Sequence, residues 1–466
     1  MAEKTPNQQL AEKLLFKPAY AGDKSAAVKQ EAHAFAEGYK KFLDAGKTER
    51  EVAAESEQML KEAGYQQFDP KKTYAPGDKV YFSQLGKAIV ASTIGTRSFE
   101  DGFHLVIAHT DSPRLDLRPT PLYESDHLSY FKTHYYGGIR KYQWGTMPLA
   151  IHGVFSRADG TTVSVNVGED ENDPVFCITD LLPHLGAEQG ERKLSDGIRA
   201  EELNILIGSD AVDDEEVKEA VKLNTMILLN EKYGITEKDF ARAEIEIVPA
   251  YKSRDVGFDR SMIGGYGHDD RVCAYAELKA ILELDEAPEK TAVCILADKE
   301  ETGSDGVSGM QSSAFECFME ELCAGQNVPL RRCFKNSFCL SADVTAAFDP
   351  NFPEVSEKRN DAKLNYGMGI CKFTGARGKS GTSDASAEIV GYLRRIFADA
   401  GVVWQMSELG KVDQGGGGTI AKYMANRNID TIDAGVPVMS MHAPFEVVAK
   451  FDCFMTYLGV LAAYKA

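Results

Sequence analysis

An apolar run, Thr291–Leu296, leads directly into the segment A-D-K-E-E-T-G-S at Ala297–Ser304. The run has the length and composition of a buried strand, and the glycines after it favour a turn. Two adjacent glutamates, Glu300 and Glu301, therefore stand where a buried strand ends, and charge is costly there unless a cation is close. The pattern predicts that one carboxylate binds a metal ion while its neighbour transfers a proton. On its own, a glutamate pair is more often part of a solvated acidic loop, so the prediction depends on the other strand ends.

Predicted strands and helices alternate on both sides of a middle segment that has a different sequence pattern. An apolar strand is predicted at Phe103–Ala108, whereas the middle segment has short alternating strands, such as Thr161–Val167, between acidic turns. This order predicts an α/β sandwich with a β-rich domain inserted into it. We expect residues 118–252 to form the inserted domain, and residues 1–117 and 253–466 to form the main, catalytic domain in two parts.

Two predictions concern single elements near the C-terminal end. The segment Asp384–Ala400 has helical spacing, and we expect Gly381-Thr382-Ser383 to cap this helix. The run Val436–Met441 is typical of a strand, and it ends at His442. Both elements belong to the predicted sandwich.

Composition and charge narrow the class of protein. A chain of 466 residues exceeds one ordinary core, which agrees with two domains. The net charge of −19 argues against nucleic acid as a partner, because phosphate backbones require basic patches. The start of the chain lacks the apolar core of a signal peptide, and no apolar run has membrane-spanning length, so we expect no membrane partner. The nine cysteines form no C-x-x-C pair, which indicates reduced thiols and a cytoplasmic protein.

Side chains of the kind that bind metals stand near the ends of several predicted elements. In open α/β sheets, binding sites gather at the carboxyl ends of the strands. These positions carry His109, Asp269, Glu300 with Glu301, Asp343 and His442. Two imidazoles and three carboxylates suit two borderline divalent cations that share one carboxylate. Asp111 can accept the free imidazole N–H of His109 and so fix its tautomer.

Each of these residues also has an ordinary structural interpretation. A single histidine at a strand end is usually a core or surface residue, Asp269-Asp270 can cap a helix, and Asp343 can belong to a turn. Six other histidines are interpreted as structural: His104, His127, His134, His152, His184 and His268. The joint arrangement, rather than any single residue, predicts the metal site.

Four short motifs follow one another along the chain. They are H-T-D-S-P at 109–113, D-x-E-E-x-G-S at 298–304, S-A-D at 341–343 and S-M-H at 440–442. In this order they resemble the motifs of the M18 metalloaminopeptidases, the aspartyl-aminopeptidase group, and the resemblance covers nearly the whole chain. It implies a three-layer α/β/α zinc-exopeptidase-like sandwich with an inserted lid and dimerisation domain. It also implies two divalent metal ions per subunit, usually Zn²⁺, and a homo-oligomer, namely a tetrahedral dodecamer with an enclosed interior.

The resemblance further implies roles for individual residues. His109, Glu301, Asp343 and His442 correspond to metal ligands, Glu300 to the general base and Asp111 to the residue that orients His109. In Asp269-Asp270-Arg271 the bridging carboxylate falls on Asp269, and Asp270 is the alternative. Lys372 aligns with a lysine of the family's substrate pocket.

One segment departs from the family pattern. The typical Y-G-G-G-L-W-x-T-W-F-D-R-D-L reads Y-G-G-I-R-K-Y-Q-W-G-T-M-P-L at 136–149. A histidine that many members carry there, and that reaches toward a neighbouring subunit's site, is replaced by Tyr142. The departure is typical of a divergent bacterial branch, and it leaves the preference for acidic N-terminal residues open.

We therefore predict an aminopeptidase that removes N-terminal residues from unblocked peptides, with a metal-bridging hydroxide as nucleophile. The ligands accept Zn²⁺, Co²⁺ or Mn²⁺. The same cluster fits an alternative, a deacylase or carboxypeptidase of the same clan that acts on N-acylated substrates. A third reading is a non-catalytic assembly shell, for which loss of a ligand or of the base would be the sequence sign; none is lost here.

Overall fold

The computed structural model describes residues 4–157 and 159–466. Its α-helices are α1 (Pro6–Leu14), α2 (Ala26–Ala45), α3 (Glu49–Glu62), α4 (Ala187–Gly190), α5 (Ala220–Tyr233), α6 (His268–Leu282), α7 (Ala314–Ala324), α8 (Leu330–Lys335), α9 (Ala387–Asp399), α10 (Ala421–Asn426) and α11 (Lys450–Lys465). Its strands are β1 (Gln66–Gln67), β2 (Lys79–Gln84), β3 (Ala88–Thr93), β4 (Phe103–His109), β5 (Arg114–Ser125), β6 (Leu128–Tyr136), β7 (Leu149–Ser156), β8 (Thr162–Val167), β9 (Ile205–Gly208), β10 (Ala243–Pro249), β11 (Arg254–Val256), β12 (Met262–Gly265), β13 (Thr291–Ala297), β14 (Phe338–Ser341), β15 (Thr345–Ala346), β16 (Met368–Cys371), β17 (Trp404–Met406), β18 (Asp430–Gly435), β19 (Pro437–Met439) and β20 (Glu446–Ala449).

The largest sheet has nine strands in the order β1-β2-β3-β13-β4-β14-β18-β16-β17. Its centre, β13-β4-β14-β18, is parallel, and every residue of β4 and β13 is buried. Parallel strands of this kind are covered on both faces, which explains their continuous apolar runs. One core contains residues of α2, α3, α6, α9 and α11, and a second core contains residues of α7, α8 and α10. The predicted α/β/α sandwich is confirmed.

A second sheet is formed by the middle of the chain, with six strands in the order β8-β7-β10-β5-β6-β9. Neighbouring strands are antiparallel throughout, and the sheet has a core of its own, to which α5 contributes Tyr233. β5 begins at Arg114, so the chain enters this sheet five residues after β4 ends at His109. The six-stranded sheet therefore starts directly beside the carboxyl ends of the large parallel sheet.

A small third sheet, with the order β11-β12-β20-β19-β15, was not predicted. It contains β19, so the strand predicted at Val436–Met441 exists but belongs to this sheet and not to the large one. The helix α11, in which apolar residues such as Phe451 and Tyr464 are buried on several sides, was not predicted either. A helix that is buried all round lacks the one-sided spacing on which the prediction of helices depends. Among the described residues, we find no helix with both the length and the apolarity that a bilayer crossing requires.

The predicted cap of α9 is wrong. Ser386 is the N-cap residue, and its hydroxyl accepts the backbone N–H of Ile389 at 3.2 Å. Thr382 instead stabilises the preceding loop by accepting the N–H of Thr374 at 2.8 Å. Several serines and threonines in this stretch are suitable caps, and only the packing of the loop decides among them.

Candidate metal centre

The predicted ligands converge because their strands are neighbours. β13, β4 and β14 are adjacent and parallel, so their carboxyl ends meet at one edge of the sheet. β4 ends at His109, β13 leads to Glu300 and Glu301 through a short turn, and β14 leads to Asp343. The start of α6 contributes Asp269, and the chain after β19 contributes His442. All the ligands predicted from the sequence are therefore brought to one place.

Asp269 lies between the two histidines. Its Oδ1 is 3.1 Å from Nε2 of His109, and its Oδ2 is 3.2 Å from Nε2 of His442. Oδ1 of Asp343 lies 3.9 Å from Nε2 of His109, and Oε1 of Glu301 lies 3.6 Å from Nε2 of His442. The donor atoms thus form two groups that share the carboxylate of Asp269.

The neighbouring Asp270 has a different environment. Its Oδ2 accepts the backbone N–H of His109 at 3.3 Å, and its side chain is fully buried. Its carboxylate also lies within ligand distance of His109 and Asp343. Burial, with the nearby charge of Asp269, raises the pKa of Asp270 well above its usual value. Only Asp269 faces both imidazoles, which favours it over Asp270 as the bridging group.

Both imidazoles have their tautomers set by backbone carbonyls. Nδ1 of His109 lies 2.9 Å from the carbonyl oxygen of Asp111, and Nδ1 of His442 lies 2.9 Å from that of Gly138. Because a carbonyl oxygen only accepts, each Nδ1 donates, and the Nε2 lone pair of the neutral ring is free to bind a metal. The prediction assigned the orientation of His109 to the carboxylate of Asp111, whose Oδ1 is 3.4 Å from Nδ1, but the carbonyl of the same residue is closer.

The carboxylate of Asp111 instead binds the turn that carries Glu300 and Glu301, which we call the glutamate turn. Its Oδ1 accepts the backbone N–H of Glu300 at 3.1 Å, and its Oδ2 accepts that of Glu301 at 3.2 Å. The hydroxyl of Tyr136 donates to the same Oδ2 at 2.7 Å. A carboxylate with several such donors is strongly stabilised in its charged form. Asp111 therefore positions both glutamates through their backbone.

Glu446 makes an equivalent pair of contacts on the other side of the site. Its Oε2 accepts the backbone N–H of Asp269 at 3.0 Å, and its Oε1 accepts that of His442 at 2.7 Å. Sequence reasoning missed this residue, because the burial of Glu446 at the start of β20 is visible only in the structure.

The donor set fits divalent cations. Oε1 of Glu301 is buried and has no hydrogen-bond partner among the described residues. Burial, and the crowding of carboxylates, raise the pKa of Glu301 and of Asp343 well above their usual values and that of Glu300 to about 7. Crowded carboxylates of this kind are stabilised by bound cations, and imidazole with carboxylate suits zinc.

A cleft of about 310 Å³ opens over the donor atoms. Its far wall includes Phe373, Arg377, Lys379 and the four glycines 415–418. Gly416 has a φ of +110°, and a Cβ there would lie 2.0 Å from the carbonyl oxygen of Gly375, so this close approach of two backbones requires glycine. The glycine loop at 415–418 is therefore part of the cleft wall.

Lys372, the predicted substrate-pocket residue, lies beside this wall. Its Nζ is 3.6 Å from Oδ1 of Asp384, and its neighbours Cys371 and Phe373 line the cleft. Lys379, whose ammonium lies 3.7 Å from the ring centroid of Phe373, lines the cleft directly. The role of Lys372 stays a prediction.

Imidazole and carboxylate donors beneath an open cleft suit the polarisation of a carbonyl and the activation of water. The fold and the site together define a metal-dependent hydrolase. Comparison with known proteins then specifies the class. Residues 42–464 match the family described as aminopeptidase I zinc metalloprotease (M18).

Individual relatives agree with this match. A probable M18 family aminopeptidase 1 of Clostridium acetobutylicum is 51% identical over 441 residues, which cover 93% of this chain and 95% of that protein. The crystal structure of aminopeptidase I from the same organism has a TM-score of 0.92 at 47% identity, over 97% of this chain and 100% of that one. The M18 aminopeptidase structure from Thermotoga maritima has a TM-score of 0.91 at 42% identity, over 97% and 99%. The chain belongs to the M18 family and is a metal-dependent aminopeptidase.

Proposed function

We propose that this aminopeptidase uses two divalent metal ions per subunit. Zn²⁺ is the preferred ion, and Co²⁺ and Mn²⁺ are alternatives. His109 and Asp343 would hold one ion, His442 and Glu301 would hold the other, and Asp269 would bridge them. The observation that carries this proposal is the position of Asp269, whose two oxygens lie 3.1 Å and 3.2 Å from the two Nε2 atoms. A carboxylate that presents one oxygen to each of two imidazoles is suited to a shared ligand.

When bound, the ions would polarise the scissile carbonyl and lower the pKa of an attacking water held between them as hydroxide. We assign Glu300 as the general base that takes the water's proton and passes it to the leaving amine. Oε2 of Glu300 lies 3.9 Å from Nε2 of His109, and burial raises the pKa of Glu300 to about 7. Bound cations would lower this pKa, so that Glu300 is ionised and able to accept a proton. Asp111 supports the base by holding its backbone N–H.

Three further proposals concern the surroundings of the site. Lys372 is proposed to bind substrate, and the inserted residues 118–252 are proposed to act as a lid and dimerisation domain. A homo-oligomer, specifically a dodecamer, is proposed because the yeast mApe1 dodecamer shares the fold at a TM-score of 0.74 and 19% identity. Light scattering coupled to size-exclusion chromatography tests the assembly. The cytoplasmic location stays a prediction.

The decisive experiment compares short peptides with free and with acetylated N-termini. The protein is reconstituted with Zn²⁺ or Co²⁺, and released residues are identified by mass spectrometry. Release of the first residue only, and only from free amines, is the expected result. Cleavage of the acetylated set would favour the deacylase or carboxypeptidase alternative, and two bound metals without turnover of either set would favour the non-catalytic shell.

A further inference from the structure

The segment Tyr136-Gly137-Gly138 begins at the last residue of β6, in the six-stranded sheet, and contacts Asp111 and His442. These three residues agree with the family pattern, and the departure from it begins at Ile139. The hydroxyl of Tyr136 donates to Oδ2 of Asp111 at 2.7 Å, and the carbonyl oxygen of Gly138 accepts from Nδ1 of His442 at 2.9 Å. One short segment therefore reaches the group that holds the glutamate turn and also a proposed metal ligand.

The two glycines allow the segment to approach the site closely. A Cβ on Gly137, whose φ is +71°, would lie 3.2 Å from Oε2 of Glu301. A Cβ on Gly138 would lie 3.2 Å from Nδ1 of His442. Contacts this tight displace the neighbouring side chain, so a larger residue at either position would move a donor of the metal centre.

Tyr136 is itself held in place by a buried ion network. The guanidinium of Arg114, its partner across β5 and β6, lies 4.0 Å from the centroid of the Tyr136 ring. Arg114 is buried and pairs with Glu246 on β10 at 3.1 Å and with Glu49 at the start of α3 at 3.2 Å. The network connects the six-stranded sheet with α3 and, through Tyr136 and Asp111, with the glutamate turn. It therefore fixes the position of the Tyr136 hydroxyl.

We propose that Tyr136-Gly137-Gly138 is a positioning element through which the six-stranded sheet sets the geometry of the metal centre. Tyr136 acts through Asp111 on the backbone of Glu300 and Glu301, and Gly138 acts on the ring of His442. This inference rests on the metal roles proposed above for Glu301 and His442. Outer contacts of this kind orient ligands, and their loss changes metal affinity or activity by about 10- to 100-fold.

Two conservative variants separate the two contacts. Y136F keeps the ring against Arg114 and removes only the hydroxyl, so we expect kcat to fall about tenfold with KM nearly unchanged. G138A adds one methyl group beside His442, so we expect affinity for one of the two ions to fall about tenfold and the visible absorption of the Co²⁺ form to change. The matched controls are Y135F, at an exposed tyrosine on the same strand, and G190A, at a glycine with no atom within 4 Å of its built Cβ.

Metal affinity is measured by calorimetric titration of the metal-free protein, and folding by thermal unfolding. The proposal is overturned if folded Y136F and G138A match the wild type in kcat, metal affinity and Co²⁺ spectrum. If G138A does not fold, Y136F alone decides through the split between kcat and KM. If the wild-type protein binds two ions but cleaves no peptide, the proposed function fails, while the affinity and the Co²⁺ spectrum of G138A still test this inference.

Discussion

Glu300 donates its backbone N–H to Oδ1 of Asp111 across 3.1 Å, although the two residues are 189 positions apart in the chain. The bond leaves the side chain of Glu300 free to face the cleft while its backbone is fixed. Asp111 is fully buried and is the third residue of the first motif, H-T-D-S-P. A residue two positions after the proposed ligand His109 therefore also holds the backbone of the proposed base. The contact joins the carboxyl ends of β4 and β13, which are neighbours in the sheet.

The first prediction concerns the general base. E300Q keeps the size and the backbone contact of the residue but cannot take a proton, so kcat should fall by about 10²- to 10⁴-fold. Metal content, measured by elemental analysis, should stay at the wild-type value. The comparison variant E301Q should instead lose metal. An E300Q protein that is as active as the wild type would remove Glu300 from the mechanism.

The second prediction separates the two aspartates. D269N should weaken binding of both ions, because the carboxylate of Asp269 faces both histidines. D270N should bind both ions nearly normally, since burial already holds the pKa of Asp270 high and an amide resembles a protonated carboxyl. Titration of the metal-free variants with Zn²⁺ provides the measurement. The reverse pattern, with normal binding in D269N and none in D270N, would transfer the bridging role to Asp270.

The third prediction concerns removal of the metal. Dialysis against a chelator should abolish activity and lower the unfolding temperature, because the buried carboxylates lose the cations that balance them. At each of the two proposed sites, zinc at 100 times its Kd should restore about 2.7 kcal/mol of stability. Differential scanning calorimetry with and without Zn²⁺ measures the fall in unfolding temperature and its recovery, and a peptide assay measures the activity. Mg²⁺ serves as the control, since it prefers oxygen ligands in an octahedral site and should restore little. An unfolding temperature that is the same with and without Zn²⁺ would argue against a metal ion in this site.

The fourth prediction concerns the cleft wall. K372A should raise KM for peptides about tenfold and leave kcat unchanged, because a substrate contact that is equal in the ground and transition states affects only KM. The matched variant is K379A, which removes the lysine that lines the cleft directly. Steady-state kinetics with acidic and neutral N-terminal residues gives the comparison. A larger effect for K379A than for K372A would assign the substrate contact to Lys379.

The fifth prediction uses Asp433 on β18, which lies in the core of the sheet. Burial raises its pKa from 3.8 to about 6, although the nearby side chains of Ser341 and Thr419 favour the charged form. The folded protein therefore keeps a proton that the unfolded chain releases, so the stability from this group is complete below pH about 4 and is lost as the pH rises to about 6. Relative to D433N, the wild type should lose about 3 kcal/mol over this interval.

Denaturant unfolding at several pH values measures this difference. The control is D399N, the same change at an exposed aspartate at the end of α9, which shows how the substitution affects unfolding away from the core. A constant difference between D433N and the wild type would contradict the prediction.

Much of the metal centre was readable from the sequence because each ligand belongs to a local pattern. His109, Asp343 and His442 each stand just beyond an apolar strand run, and Glu300 with Glu301 stands beyond another. The rule that strand carboxyl ends meet at one edge of an open sheet then brings His109, Asp343 and the two glutamates together. His442 follows β19 of the third sheet and Asp269 lies at the start of α6, so the rule does not place them. The same alternation of strands and helices predicted the sandwich.

Other features depend on contacts between distant parts of the chain, and no local pattern encodes them. The choice between Asp269 and Asp270 is decided by non-helical backbone at both residues, which turns two adjacent carboxylates to different neighbours. Glu446, Tyr136 and Gly138 support the site through hydrogen bonds to partners far away in sequence. The sequence by itself determined which side chains form the centre, since hydrophobic periodicity and strand ends are local properties. Only the tertiary structure decided how they are held, because a hydrogen bond between distant residues exists only once the sheets have packed.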